Sequence, residues 1–260
     1  MILDEIAAKT RERIQEEKQR IPLEALKEQA ETLPAVRNFP FEKALREPGI
    51  QFICEVKKAS PSKGVIAEHF PYREIARDYE KAGAAAVSVL TEPFYFQGKD
   101  EYLREIRQDL SIPILRKDFV VDDYMIYQAK LLGADAILLI CAILTEEELV
   151  RMGKLAESLG LSALVEVHDE EEAAMALQAG ARIIGVNNRN LKNFQVNVDN
   201  ALNLRSQIPE EVLFVAESGI KTREDVRRLE EAGCDGILIG ETLMRSPSKK
   251  EMLARLKGER

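Results

Sequence analysis

The stretch DAILLICAILTEEELVRMGKLAESLGLSALVEV (residues 135–167) holds the unit from which most of the chain is built. A short apolar run (135–141) leads into a longer stretch rich in Glu, Lys, Arg and Ala, then Gly160, then a second run, SALVEV (162–167). The first texture is that of a buried strand, the second that of an amphipathic helix. The beat holds from residue 50 onward, with further runs at 50–56, 85–90, 112–117, 182–187, 212–217 and 235–240, eight in all. Gly83, Gly133, Gly160, Gly180 and Gly233 each stand just before a run, where a left-handed residue stops a helix and turns the chain back. Repeated strand–helix units demand a parallel sheet, and eight of them in about 210 residues predict a closed α/β barrel of the (β/α)8 type. The competing doubly wound sheet usually has fewer strands and often a Gly-rich first turn. No GxGxxG follows the first run.

Residues 1–48 stand outside the beat. Ile2, Leu3, Ile6 and Ile14 are helix-spaced, as are Leu23 and Leu26 after Pro22, while Pro34, Pro40 and Pro48-Gly49 punctuate the rest. This helical extension is too short for a core of its own, so it is expected to dock on a barrel spanning 49–260. The sequence does not say on which face.

Composition narrows the chemistry. Of 260 residues, 45% are apolar and 32% charged, as in a folded domain. His69 and His168 are too few for a multi-His metal site, and no CxxC is present for a zinc ribbon, so no metal is expected. Cys54, Cys141 and Cys234 lie far apart in apolar runs and read as reduced core residues of a cytoplasmic protein. The N-terminus carries Asp4 and Glu5 where a signal peptide would be apolar. The longest apolar run, Ala136 to Leu144, is too short to span a bilayer. A net charge of −8 argues against a generic binder of nucleic acid or anionic membranes, but not against a small anion held by local cations. No long heptad or interface stripe stands out, and a monomer, or at most a weak homodimer, is expected.

Barrel active sites form where strands end and βα loops begin. Those positions offer Glu55 and Lys57, Thr91 and Glu92, Lys117 and Asp118, Glu166 and His168, Asn187 and Arg189, Glu217 and Ser218, and Gly240 and Glu241. Side chains alternate along a strand, so Glu55 and Lys57 share a side, as do Glu166 and His168. Burying such charges unpaired is costly, whereas paired charges beside a ligand are usual in active sites. Ser218-Gly219 and Gly240-Glu241 end the last two strands, where barrels commonly bind phosphate, and the turn KKASPSKG with Ser60, Ser62 and Gly64 can join them. His168 reads as a structural or rim histidine. The residues thus imply a phosphorylated small-molecule substrate and Lys/Glu acid–base chemistry, with no metal and no dinucleotide.

The run FICEVKKASPSKG (52–64) resembles the signature of the indole-3-glycerol-phosphate synthase family, a tryptophan-pathway barrel. The likeness continues through LTEPFYFQG (90–98), PILRKDF (113–119), LVEVHDE (164–170), IGVNNRNL (184–191), VAESGI (215–220) and LIGETLM (238–244). It implies conversion of 1-(2-carboxyphenylamino)-1-deoxyribulose 5-phosphate to indole-3-glycerol phosphate, releasing CO2 and water and needing no cofactor. By the same resemblance Lys117 is the general acid at the substrate carbonyl and Glu166 the base in the dehydration. Lys57, with Glu55 as its acidic partner, lies near the carboxylate and phosphate, while Asn187 and Glu217 hold substrate hydroxyls. Arg189 meets the anthranilate carboxylate. Ser60, Ser218, Gly219, Gly240 and Glu241 match phosphate-site positions, and Phe96, Phe119 and Leu191 match walls of the aromatic pocket. A lysine acid needs its pKa lowered, and Lys57 and Arg189 are the expected cations around Lys117. Two positions depart from the pattern: Ala59 stands where a basic residue is frequent, and Glu241 where Ser can follow the last-strand glycine. The Glu241 carboxylate is therefore expected to point away from the phosphate, leaving its backbone N–H. The alternatives are a Schiff-base aldolase using Lys117, and a non-catalytic phospholigand-binding module.

Overall fold

Eight parallel strands close on themselves, each falling inside one of the eight apolar runs. They are β1 (Gln51–Val56), β2 (Ala86–Leu90), β3 (Ile114–Lys117), β4 (Ala136–Ile140), β5 (Ser162–Val167), β6 (Ile183–Asn187), β7 (Leu213–Glu217) and β8 (Gly236–Ile239). Each pairs with the next in sequence, and β8 pairs with β1 to complete the ring. This computed structural model describes residues 2–35, 38–190 and 194–259. The five glycines that precede runs all adopt positive φ, between 77° and 85°, so the turn that returns each helix to the sheet is the one glycine tolerates best.

Alternation along the strands sorts the side chains into two cores. Ile53, Ala86, Leu115, Ala136, Leu138, Ile140, Leu164, Ile183, Leu213, Val215 and Leu238 pack together inside the barrel. Their neighbours in sequence, such as Cys54, Val87, Ile137, Val165 and Phe214, pack outward against the helices. Because the period is two, the inward parity of Ile53, Leu115, Leu164, Ile183, Val215 and Leu238 extends to Glu55, Lys57, Lys117, Glu166, Asn187, Glu217 and Gly240. The interior register that fills the barrel with Leu and Ile thereby delivers charge to its C-terminal mouth.

Three helices precede β1: α1 (Ile2–Arg20), α2 (Leu23–Thr32) and α3 (Pro40–Leu45). They cover both ends of the barrel. At the C-terminal mouth Ile2, Leu3 and Ile6 of α1 line the central cavity, and Arg13 meets Asp118, just past β3, at 3.0 Å. Lys18 pairs with Asp122 at 2.6 Å. At the opposite end Phe41 and Leu45 of α3 are fully buried against the interior core, each stabilising the fold by about 1.5–3 kcal/mol. Glu42 anchors that plug, accepting from Ser162 Oγ at 3.1 Å and from Arg182 Nη2 at 2.8 Å. The remaining helices ring the barrel as α4 (Tyr72–Lys81), α5 (Asp100–Asp109), α6 (Asp123–Leu132), α7 (Glu146–Ser158), α8 (Glu170–Gln178), α9 (Asp199–Arg205), α10 (Arg223–Glu231), α11 (Glu241–Arg245) and α12 (Lys249–Lys257). Thr145 and Thr222 start α7 and α10 with reciprocal capping boxes.

Candidate active site

A cavity of about 520 Å³ opens at the C-terminal end of the strands. Its walls are asymmetric. Leu90, Phe96, Phe119, Leu138 and Ile140, with Ile2, Leu3 and Ile6 above them, make one side apolar. Glu55, Lys57, Glu166, Asn187, Arg189 and Glu217 make the other side polar, and Lys117 belongs to the charged group although it sits on β3 beside the apolar wall. Phe96 and Phe119 face each other with ring centroids 6.0 Å apart.

Lys117 is the hub. Its ammonium is 3.1 Å from Glu166 Oε2 and 3.2 Å from Glu217 Oε2. Burial alone would lower its pKa, but Glu217, Glu166 and Glu55 outweigh burial and raise it. This corrects the expectation from sequence that Lys57 and Arg189 would lower it. The inward glutamates of β5 and β7 converge on Lys117 across the barrel. Lys57 is instead engaged by Glu55, one strand turn away on the same face.

Glu166 is held at both oxygens. Asn187 Nδ2 donates to Oε1 at 3.2 Å while Lys117 takes Oε2. Burial would raise its pKa, but Lys117, His168 and Asn187 hold it below the usual carboxylate range. Glu217 is shifted the other way. Burial, then the charges of Glu166 and Glu55, outweigh Lys117 and push it up to about 7. Two carboxylates on one ammonium are thus driven apart, Glu166 toward the ionised form and Glu217 toward the protonated one. Such a split is how acid and base roles separate within one site.

Two inward glycines make room for these carboxylates. A Cβ on Gly185 of β6 would overlap Glu217 Oε1, and a Cβ on Gly240 would overlap Glu55 Oε2 and come within 2.9 Å of Lys57 Nζ. Gly219, with φ 86°, is held by a different constraint: Val196 closes over it. The preceding Ser218 shares the positive φ, at 67°.

Ser60, Ser218, Gly219, Gly240 and Glu241 gather at one end of the cavity, joined by Lys63, Lys221 and Arg245. Ser60 lies in a small hairpin, where Ala59–Ser60 pairs antiparallel with Gly64–Val65. Glu241 turns its carboxylate to Arg245 Nε at 3.1 Å and to Lys63 Nζ at 3.7 Å. Arg189 lines the polar wall; its N–H donates to Asn187 Oδ1 at 3.0 Å and its guanidinium reaches the Phe194 carbonyl at 3.4 Å. Leu191 lies outside the described residues.

Some strand-end residues do other work. Glu92 is buried and accepts the backbone N–H groups of Phe94, Tyr95 and Phe96 at 2.7 to 2.9 Å, shaping the loop that presents Phe96. Asp118 is held by Thr91, Arg13 and Arg116 rather than facing the cavity charges. Residues that reading the strand ends did not supply are Lys63, Lys221, Arg245, the apolar face of α1, and Glu172, the partner of His168. The spacing Glu166-x-His168-x3-Glu172 carries a signal for the last pair, since i,i+2 on a strand and i,i+4 into a helix both allow contact.

The architecture has wide company. 3-Hexulose-6-phosphate synthase from Salmonella typhimurium superposes with a TM-score of 0.67 over 80% of this chain and 97% of that one, at 11% identity, a likeness of fold. Sequence similarity reaches much further. Indole-3-glycerol phosphate synthases from Lachnoclostridium phytofermentans and Ruminiclostridium cellulolyticum are each 52% identical to this chain, with 99% of either partner covered. The family model described as indole-3-glycerol phosphate synthase matches residues 3–256, from the first turn of α1 to the end of α12. With the barrel, its extension and the charged mouth inside that span, the chain belongs to the indole-3-glycerol phosphate synthase family.

Proposed function

We propose that the cavity closes the five-membered ring of 1-(2-carboxyphenylamino)-1-deoxyribulose 5-phosphate, with Lys117 as acid and Glu166 as base. The observation that carries this reading is the Lys117 ammonium set between Glu166 and Glu217 at the border of the apolar and charged walls. The aryl ring lies against Phe96, Phe119, Leu138 and Ile140. Its carboxylate meets Arg189, and the phosphate sits among Ser60, Ser218, Gly219 and Gly240 with Lys63, Lys221 and Arg245 nearby. Glu241 contributes its backbone N–H there, since Arg245 and Lys63 occupy its carboxylate.

Chemistry starts as the carboxylate-bearing aryl carbon bonds to the ketone carbon and Lys117 protonates the ketone oxygen. Loss of CO2 restores the aromatic ring, the bonding pair flowing into the iminium formed at nitrogen, so the substrate is its own electron sink. Water then departs. Glu166 removes a proton from the ring carbon beside nitrogen, and Lys57, poised by Glu55, protonates the leaving hydroxyl. The order has an electrostatic logic: once Lys117 has given up its proton, Glu166 loses its nearest cation and becomes the stronger base. Glu217 Oε1 is buried without a hydrogen-bond partner among the described residues and is left for a substrate hydroxyl. Positioned acid and base groups of this kind contribute about 10²–10⁴-fold each.

A raised Lys117 pKa weighs against the aldolase reading, because a Schiff base needs a free amine; as an acid, Lys117 gives its proton only to the strongly basic alkoxide that develops as the ketone carbon is attacked. Every group in the scheme comes from one chain, so a monomer suffices, and three buried free thiols suit a cytoplasmic setting. Supplying the carboxyphenylamino-deoxyribulose phosphate tests the reading. The chain contains no Trp, so indole fluorescence of the product rises over a tyrosine background. Absence of that signal, or a borohydride-trapped adduct on Lys117, would overturn it.

A further inference from the structure

We infer that His168 and Glu172 form a positioning pair that keeps Glu166 oriented and ionised as a base. The inference rests on the reading of Glu166 given above. Its support is geometric. The backbone N–H and ring Nδ1 of His168 both reach Glu172 Oε2, at 2.8 and 3.0 Å. A carboxylate only accepts, so Nδ1 carries a proton and the ring is fixed in that orientation. The other nitrogen, Nε2, is buried without a hydrogen bond among the described residues and lies 3.4 Å from Glu166 Oε1, within ion-pair range. Neutral imidazole in this tautomer would turn a lone pair toward the glutamate oxygen, whereas imidazolium turns an N–H toward it.

The groups packed around the ring agree. Glu166 faces it from β5, and Glu172 from α8, whose first turn is capped by Asp169. The Cys141 thiol of the turn after β4 lies in the same field and is pushed up to about 12, by burial and then by Glu172 and Glu166. From α9, Asn200 donates to the His168 carbonyl at 3.1 Å. Beyond Glu166 stand Lys117 and Asn187. Burial opposes a charged His168, but Glu166 and Glu172 outweigh it and lift the imidazole to about 10. Glu166 therefore has two cations, Lys117 at one oxygen and His168 at the other. Only Lys117 is spent in the reaction scheme, so His168 keeps the carboxylate aligned after that proton has gone.

The chain holds just two histidines, so ring ¹⁵N and ¹³C spectra of the full protein labelled at His carry two signals, and His69→Gln assigns them. His168 is expected to stay imidazolium to well above pH 8, against an ordinary histidine value of about 6.5. Titration of His168 at or below that value would overturn the inference. Kinetics form the second arm. His168→Gln and Glu172→Gln should move the acid limb of kcat/KM upward by about one pH unit or more, an extra loss of about tenfold at acid pH beyond any loss at pH 8.5. A merely structural role would lower activity evenly across pH. Glu166→Gln separates the two claims. If it keeps wild-type turnover, the base reading and this inference fall together. If it is inactive while the His168→Gln profile superposes on wild type, only this inference falls.

Discussion

Replacing Lys117 with Met removes the ammonium while keeping a side chain of similar length, and exposes what that charge balances. Oxygens 3.1 and 3.2 Å from one Nζ are at most about 6 Å apart, and at an effective dielectric of about 20 two full charges at that distance repel by about 3 kcal/mol. That is about two pH units. Glu217 is already pushed up to about 7 with the ammonium present. That repulsion is already part of its shift; removing the ammonium takes away the attraction that opposes it, so the Glu166–Glu217 pair should hold one proton to higher pH than in wild type. A carboxyl whose folded pKa exceeds its unfolded value of about 4.3 loses stability as pH rises between the two, at about 1.4 kcal/mol per pH unit. In wild type the Glu217 contribution is complete by about pH 8; in Lys117→Met it continues to higher pH. Urea unfolding followed by circular dichroism at pH 7.5 and 9 should therefore show the variant losing up to about 2 kcal/mol beyond wild type across that interval. Turnover, read as indole fluorescence, should fall by about 10²–10⁴ at every pH. Equal pH dependence of unfolding in the two proteins would refute the shared-proton account. Turnover within tenfold of wild type would refute Lys117 as the acid.

Two further substitutions probe how the site is held. Gly240→Ala places a methyl where Glu55 Oε2 lies, against the ends of side chains rather than backbone, so the fold should survive while turnover drops tenfold or more; unchanged turnover would show that Glu55 and Lys57 need no such room. Arg13→Met removes the 3.0 Å partner of Asp118 and leaves Arg116 at 3.6 Å. It should cost about 1–3 kcal/mol in urea unfolding, less than the loss of a buried ion's only partner. Because α1 carries Ile2, Leu3 and Ile6 over the cavity, KM should rise more than kcat falls, and a change confined to stability would show that the latch does not act on the mouth.

What the sequence makes legible here depends on how far a local rule reaches. Alternation on a strand is local and exact in its period, so Glu55 with Lys57 and Glu166 with His168 are readable as same-side pairs before any fold is known. The rule stops where the strand stops. Glu92 looks like another strand-end acid, but β2 ends at Leu90, the chain turns, and its carboxylate is consumed by three backbone N–H groups of its own loop. Long-range closure is another matter. That Lys117 meets Glu166 and Glu217 rather than Lys57 depends on the ring bringing β5 and β7 to face β3, and no spacing in the sequence encodes that distance. The direction of its pKa shift is therefore not legible in the sequence, while its place at the end of β3 is. The extension shows the same division: helix spacing marks Leu3, Ile6 and Ile14 as a buried face, but only the folded chain shows α1 over the mouth and α3 plugging the far end. His168 lies between these cases. Its partners are two and four residues away, near enough to read, yet a lone histidine is more often structural than functional, and only the occupied Nδ1 reveals that its second nitrogen faces Glu166.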